Sequence, residues 1–302
     1  MTTYHRPVLL RESVEALNIH PDGTYVDLTF GGGGHSIAIL ENLKEGRLIA
    51  FDQDPDSEKN ASRVTSKSFS FFRANFRFFK KYLKILKIEM VDGILADLGV
   101  SSHQIDEADR GFSTRFNAEL DMRMDQKGSL TARKIIQNYS VDELHKIFGM
   151  YGEIKNAKTL AIALANARAG TPIKTVADLK NVLSRYAPKN RENKYFAQVF
   201  QALRIEVNDE LAALKEMLID AVDVLRPGGR LVVISYHSLE DRIVKHFIQR
   251  GKFEGMVEKD IYGNEIKPLK SVIRKPIIPS ESELSENSRS RSAKLRVAEK
   301  IN

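Results

Sequence analysis

The sequence predicts an α/β protein whose mainly parallel sheet is interrupted by an inserted helical domain. Short β-type runs alternate with helical ones up to Asp97, as strands joined by crossover helices do. The 131 residues between Asp97 and Gly229 then hold no comparable strand, although a crossover needs only about a dozen. Strand character returns at residues 230–235 (RLVVIS), so something has been inserted. With 302 residues, 42% of them hydrophobic, the chain is long and apolar enough for two modules.

Taken in order, residues 24–28 read as the first strand, 31–34 as a glycine turn into a helix over 37–43, and 47–51 as the second strand. A further helix leads to a strand near 69–72. Residues 91–97 (VDGILAD) have the continuous apolar character of a strand buried on both faces. Inside the gap, 142–148 and 154–169 are helically periodic, and Gly170-Thr171-Pro172 stops the second of these. Thr175 with Asp178 forms a capping-box signature that opens another helix, ended before Pro188. Phe196, Phe200, Leu203 and Val207 share one helical face, and 211–225 stays helical up to a Pro227-Gly228-Gly229 turn. After a helix over 239–249, residues 271–277 and 295–298 are strand-like and enclose a serine- and charge-rich loop. The predicted domains are therefore 1–108 with 206–302 for the sheet, and 109–205 for the insertion.

Composition excludes several chemistries. There is no cysteine, which removes disulfides, thiolate catalysis and cysteine-ligated metal, and the seven histidines have no metal-ligand spacing. No secretory signal pattern follows Met1, and no apolar run nears the roughly 18 residues that span a bilayer, so the expectation is a soluble cytoplasmic protein. The net charge is +7, and residues 109–205 hold 17 Lys+Arg against 9 Asp+Glu, so the excess lies in the insertion and points to a polyanionic partner. Residues 59–87 carry nine Lys+Arg and no acid, interleaved with Phe69, Phe71, Phe72, Phe76, Phe78, Phe79 and Tyr82. That mixture suits single-stranded nucleic acid; equally, the rings can be core and the cations a solvated face, and the second reading is preferred.

Gly31 to Gly34 lie between the first strand and its helix, where backbone can approach a ligand at the positive end of the helix dipole. Asp52, 21 residues after Gly31, ends the second strand, where a carboxylate can accept from both ribose hydroxyls. A nicotinamide site shares these features, but its third glycine falls at position 36, which is Ser36. A sulfonium cofactor has no pyrophosphate to bind. Its amino acid group and adenine would meet Asp27 and Asp97 at strand ends, with Phe76 packing on adenine; Asp27 can also be read as a structural turn acid.

The chain resembles the bacterial 16S ribosomal RNA small subunit methyltransferase H family, cytosine N4-methyltransferases. The likeness runs over HRPVLL from His5, DLTFGGGGHS from Asp27, FDQDP from Phe51, DGILADLGVSS from Asp92, RGFS from Arg110, LDMRMD from Leu120, FQALRIEVNDEL from Phe200, GGRLVVISYHSLEDRIVK from Gly228 and SRSAKLRVAE from Ser290. The resemblance implies a class I Rossmann-like methyltransferase fold and contact with S-adenosyl-L-methionine by Gly33, Gly34, His35, Asp52, Phe76, Asp97 and Gln104. It implies a 16S rRNA substrate, within the small ribosomal subunit, with the insertion recognising it; the chain would act as a monomer or homodimer. Gly32, His103 and Tyr236 depart from the residues usual in that family.

An exocyclic cytosine amine is a poor nucleophile, so alignment with the methyl group matters more than strong base. The Asp/Asn/Ser-Pro-Pro-aromatic tetrapeptide of many amino-methyltransferases is absent, because Asp97 is followed by Leu98-Gly99-Val100. The acceptors left are Asp97, Ser101-Ser102, Ser235, His237 and Ser238. Asp97 or His237 is expected to be catalytic, with Tyr236, Phe112 or Phe116 stacking on a withdrawn base; His237 is equally readable as a structural residue at a helix start. Arg110, Arg123 and Lys194 are the expected phosphate contacts, against surface ion pairs as the alternative. The rival functions are a small-molecule oxidoreductase, a noncatalytic RNA-binding factor and a DNA cytosine methyltransferase.

Overall fold

The computed structural model describes residues 7–301. It divides into two compact units, one made of the described residues up to Gly99 together with those from Leu211 onward, the other of Val100–Glu210. The first unit opens with α1 (Leu10–Leu17), β1 (Thr24–Asp27), α2 (Gly34–Leu40), β2 (Arg47–Asp52), α3 (Pro55–Ala61), β3 (Phe69–Arg73), α4 (Phe79–Ile85) and β4 (Val91–Asp97). The second holds α5 (Ser102–Asp106), α6 (Ala132–Asn138), α7 (Val141–Met150), α8 (Ala157–Gly170), α9 (Val176–Leu183) and α10 (Glu192–Asn208). The chain continues through α11 (Glu210–Val224), β5 (Leu225–Ser235), α12 (Ser238–Arg250), β6 (Glu258–Lys259), β7 (Glu265–Ile266), β8 (Leu269–Ser271), α13 (Glu281–Glu286) and β9 (Lys294–Lys300). No helix among the described residues is long and apolar enough to cross a membrane.

The seven-stranded sheet runs β3-β2-β1-β4-β5-β9-β8. Its first five strands are parallel, and β9 and β8 add an antiparallel edge. This is the Rossmann-like α/β arrangement, and the chain direction across the sheet reverses between β1 and β4. At such a switch point the loops after adjacent strands diverge, opening a crevice outside their carboxyl ends. One face of the sheet is covered by a core that includes Phe51, Phe79, Leu83 and Met217, the other by one that includes Leu17, Tyr25, Ile39 and Leu295. Burial on both faces accounts for the continuous apolar runs of β1, β2 and β4.

β5 starts earlier than the apolar run suggests. Leu225 already pairs with Val91, and the register then slips so that Arg230 faces Gly93. The Pro-Gly-Gly sequence is thus a bulge within the strand, not a turn before it, and Arg226 pairs with Asp92 across it at 3.4 Å. Of the strand-like residues 271–277, only Ser271 belongs to β8, and Ile277 makes an isolated bridge to Leu295. The serine-rich loop beyond contains α13, capped by the Ser280 hydroxyl, which accepts from the Glu283 N–H.

The helical unit has its own core, with Phe148, Leu160, Leu179, Val199 and Leu203 at its centre. The apolar face read along 196–207 is the buried face of α10. The Thr175–Asp178 capping box opens α9, and a second box, Ser140 with Glu143, opens α7. α6 escapes the periodicity because only Ala132, Ile135 and Ile136 of its seven residues are buried; Thr131 caps it.

Candidate active site

The site builds from the carboxyl ends of β1, β2 and β4. β1 ends on Asp27, buried, whose carboxylate accepts from the Ser36 hydroxyl (2.7 Å) and the Thr29 N–H (3.0 Å). Burial raises its pKa to about 6 despite these donors. β2 ends on Asp52, half-buried, with Oδ2 accepting from the Gly31 N–H (2.7 Å) and Oδ1 from the Asp54 N–H (2.8 Å). Burial pushes this carboxyl up as well. Two backbone amides hold it in place, the Ser57 hydroxyl is a further donor, and the lone pairs that remain are acceptor capacity for a diol.

β4 ends on Asp97, whose N–H donates to the Thr29 hydroxyl (2.6 Å) and whose Oδ1 accepts from the Tyr236 hydroxyl (2.8 Å). Burial, together with the carboxylates of Asp27 and Glu240, raises its pKa to about 7, against the opposing Tyr236 bond. His35, near the start of α2, is buried beside it, with Nδ1 3.9 Å from Asp97 Oδ2 and Nε2 3.2 Å from the Val8 carbonyl. Burial lowers the His35 pKa to about 4, so the ring is neutral at pH 7. If Nε2 carries the proton toward Val8, Nδ1 is a bare lone pair and does nothing to keep Asp97 ionised.

The glycine turn is tight for reasons of space. Gly33 has φ +83°, and a Cβ there would lie 2.7 Å from the Phe30 ring; a Cβ on Gly34 would lie 2.1 Å from Pro7. Only glycine lets α2 start this close to Pro7 and Phe30. His5 and Arg6, which open the HRPVLL motif, lie outside the described residues. Phe76 is half-buried on the first-unit core just after β3, where Asn75 donates to Gln53 Oε1 (2.8 Å) and ties the end of β3 to that of β2.

Asp27, Gly33, Gly34, His35, Asp52, Phe76 and Asp97 therefore all lie in the loops and termini at one edge of the sheet. Gln104 lies in the helical unit, where it is buried and closes the capping box of α5: its Oε1 accepts from the Ser101 N–H (2.9 Å). Of the other hydroxyls considered as acceptors, Ser101 caps α5, and Ser235 is buried, donating to the Lys294 carbonyl (3.4 Å).

Two expectations need correction. His237 is the N-cap of α12: Nδ1 accepts from the Glu240 N–H (3.4 Å), and Nε2 lies 3.2 Å from Glu240 Oε1. With Nδ1 accepting, the ring carries its proton on Nε2 and has no lone pair left for a substrate amine. Arg110 and Arg123 are built into the helical unit. The Arg110 guanidinium is buried and donates to the Arg123 (3.0 Å) and Met124 (3.2 Å) carbonyls, with Phe112 at 5.8 Å. Arg123 pairs with Asp121 (2.6 Å) and donates to the carbonyls of Gln126 and Gly128 at 2.8 Å each. Both clamp the 121–128 loop, as a planar five-donor fork does well.

Lys194 is exposed, with no acidic partner among the described residues, and it has company that motif reading missed. Arg185, Lys189 and Arg191 are exposed along the same α9–α10 connection and likewise have no ion pair among the described residues; Glu192 is the only acid in 185–194. The signal was present as local charge density, masked by counting over the whole insertion. Phe116 is exposed beneath Arg115, 5.7 Å from its ring centre.

Residues 2–301 match the family model described as the MraW methylase family. The chain is 59% identical to the ribosomal RNA small subunit methyltransferase H of Cytophaga hutchinsonii, over 98% of this chain and 99% of that one. It is 56% identical to the protein of the same name from Amoebophilus asiaticus, over 99% and 96%. For the one from Bacteroides thetaiotaomicron the identity is 54%, over 99% and 98%. On the model match over nearly its full length, the chain belongs to the MraW methylase family.

Proposed function

We propose that this chain transfers a methyl group from S-adenosyl-L-methionine to small-subunit ribosomal RNA, at the N4 amine of a cytidine in the decoding region. The observation that carries the reading is the trio of carboxylates, Asp27, Asp52 and Asp97, gathered round the glycine turn. Acceptor-only groups suit a ligand rich in hydroxyl donors and positive charge, as this donor is with its ribose, ammonium and sulfonium. They suit a dinucleotide phosphate poorly. Arg73 and Arg77, the cations between the end of β3 and α4, pair with Glu58 and Glu216 instead. The family match and the relatives' shared name support methyl transfer and the ribosomal RNA substrate.

Asp52, fixed by two backbone amides, takes the ribose hydroxyls; Gly33, Gly34 and His35 form the wall at the start of α2, and Phe76 lies against the adenine. When bound, the donor supplies an electrophilic methyl group on sulfur. The cytidine amine would attack that methyl carbon, the new N–C bond forming as the S–C bond breaks and S-adenosylhomocysteine leaves, and the amine proton would pass to an acceptor. Asp97 is that acceptor: a pKa of about 7 matches a proton transfer at neutral pH, and the Tyr236 hydroxyl fixes Oδ1, while Oδ2, 3.9 Å from the neutral His35 ring, takes no hydrogen bond from it. The sheet unit, made of the described residues up to Gly99 and those from Leu211 onward, binds the donor. The helical unit, Val100–Glu210, recognises RNA through Lys194 with Arg185, Lys189 and Arg191, and the protein acts on the small subunit in the cytoplasm.

Incubation with labelled donor and purified small ribosomal subunits, followed by mapping of the modified nucleotide, tests the reading. Label on the N4 position of one decoding-region cytidine is the expected result. Label on DNA or protein instead overturns the substrate assignment, and displacement of S-adenosylhomocysteine by NADH overturns the cofactor.

A further inference from the structure

The stretch from residue 59 to 87 combines rings and cations that suit either an RNA-binding surface or a core with solvated charges, and the structure splits it in two. Its rings Phe72, Phe79 and Tyr82 pack with Phe51 in the core. Several of its cations are matched to acids. Lys59 pairs with Asp56, Arg73 with Glu58, Arg77 with Glu216, and Lys80 with Asp220 and Asp223. The last three acids are spaced along one face of α11, so the side of the α4 region toward α11 is neutralised.

The outer side is not. Lys81, Lys84 and Lys87 are exposed, one every three residues, and none has an acidic partner among the described residues. Beside them lie exposed apolar groups: Phe78 at 40%, Ile85 at 74% and Leu86 at 37%. The Lys81 ammonium sits 4.9 Å from the centre of the Phe78 ring. Lys81 and Lys84 lie on α4 and Lys87 in the turn just past its end, so the three cations continue from the helix into the connection, and the exposed apolar groups beside them gain nothing from water. Regularly spaced cations with an accessible ring are what a single strand of RNA requires: charge for successive phosphates and a flat face for a base.

We infer that the outer side of the segment from Phe78 through α4 to Lys87 is a second RNA contact, in which Lys81, Lys84 and Lys87 bind the sugar–phosphate backbone and Phe78 stacks on an unpaired base. It rests on the reading of RNA as substrate and adds a surface on the sheet domain to the one on the insertion.

The test compares wild-type protein with a Lys81→Gln/Lys84→Gln/Lys87→Gln variant. A control variant, Lys245→Gln/Lys259→Gln/Lys275→Gln, removes the same charge from exposed positions elsewhere in the sheet domain. Binding of a fluorescent single-stranded RNA of mixed sequence, and methylation of purified small subunits, are measured across a salt series. The α4 variant is expected to bind RNA about tenfold more weakly, with a log–log salt slope shallower by about 2, since each single-strand phosphate contact contributes about 0.7. Its binding of S-adenosylhomocysteine and its melting temperature stay at wild-type values. Phe78→Ala weakens binding several-fold and leaves the slope unchanged, because a ring releases no counterion. An α4 variant that matches wild type, or loses no more than the control, overturns the inference. Phe78→Ala at full affinity overturns the stacking contact. If wild-type protein itself neither binds RNA nor methylates subunits, the reading of RNA as substrate falls first and takes this surface with it.

Discussion

The strand-end carboxylates and the exposed cations of residues 185–194 are opposite kinds of site. Asp27 and Asp52 are each held by at least two hydrogen bonds and Asp97 by the Tyr236 hydroxyl, at or near burial, with raised pKa values. Arg185, Lys189, Arg191 and Lys194 are exposed and hold nothing in place. A site that must align a reacting atom is fixed by its surroundings before the ligand arrives. One that takes hold of a polyanion gains from loose charge, because its affinity comes from released counterions more than from geometry. The first kind should fail steeply and locally when altered, the second gradually and in a salt-dependent way.

The largest effect is expected at Asp97. Asp97→Asn keeps the shape and removes the proton acceptor, so single-turnover methyl transfer to small subunits should fall at least about a hundredfold. A rate within a few-fold of wild type would move the acceptor elsewhere. Next comes Asp52→Ala. Losing two charge-assisted hydrogen bonds to the ribose, each about 1.5 kcal/mol, should weaken S-adenosylhomocysteine binding about a hundredfold by calorimetry, while RNA affinity holds.

The exposed cations should behave differently. Replacing Arg185, Lys189, Arg191 and Lys194 together by glutamine is expected to raise KM for the subunit about tenfold, flatten its salt dependence and leave donor binding untouched. Equal loss at all salt concentrations would mean that the four residues act through structure. The smallest effect falls on Tyr236→Phe. The hydroxyl bond favours ionised Asp97, so its loss raises that pKa further. At pH 7 less Asp97 is ionised and the rate drops a few-fold; at higher pH it recovers, so the acid limb of the pH–rate profile moves up. A limb that moves down or stays put would dissociate Tyr236 from Asp97.

The same contrast decides what could be read in advance. β1, β2 and β4, the turn and Asp52 were legible because strand periodicity and a glycine run state their geometry within a few residues. The reversal between β1 and β4 then made the crevice a consequence of topology. What escaped depends on contacts distant in sequence. Nothing around Arg110 announces that its guanidinium ends on the carbonyls of Arg123 and Met124. A histidine that begins a helix reads alike whether it caps that helix or accepts a hydrogen bond from a substrate amine, and the Glu240 amide settles it only in three dimensions. Which cations of residues 59–87 are matched was unreadable for the same reason, since Glu216, Asp220 and Asp223 come more than a hundred residues later. α13 was missed because its stability rests on a cap and two acids in its first turn, with no buried face to set a period.

The account turns on a cationic donor lodging among carboxylates that burial has made reluctant to ionise. Asp97 and Asp27 have folded-state pKa values of about 7 and about 6 against an ordinary 3.8. Their contribution to stability is therefore complete below pH 3.8 and is lost as pH rises through 6 and 7. A positive ligand favours the ionised forms, so it must expel protons on binding. Titration calorimetry of S-adenosylmethionine near pH 7, in buffers of different ionisation enthalpy, measures this directly. One-site binding with net proton release is the predicted result; absence of binding, or binding with proton uptake, would contradict it.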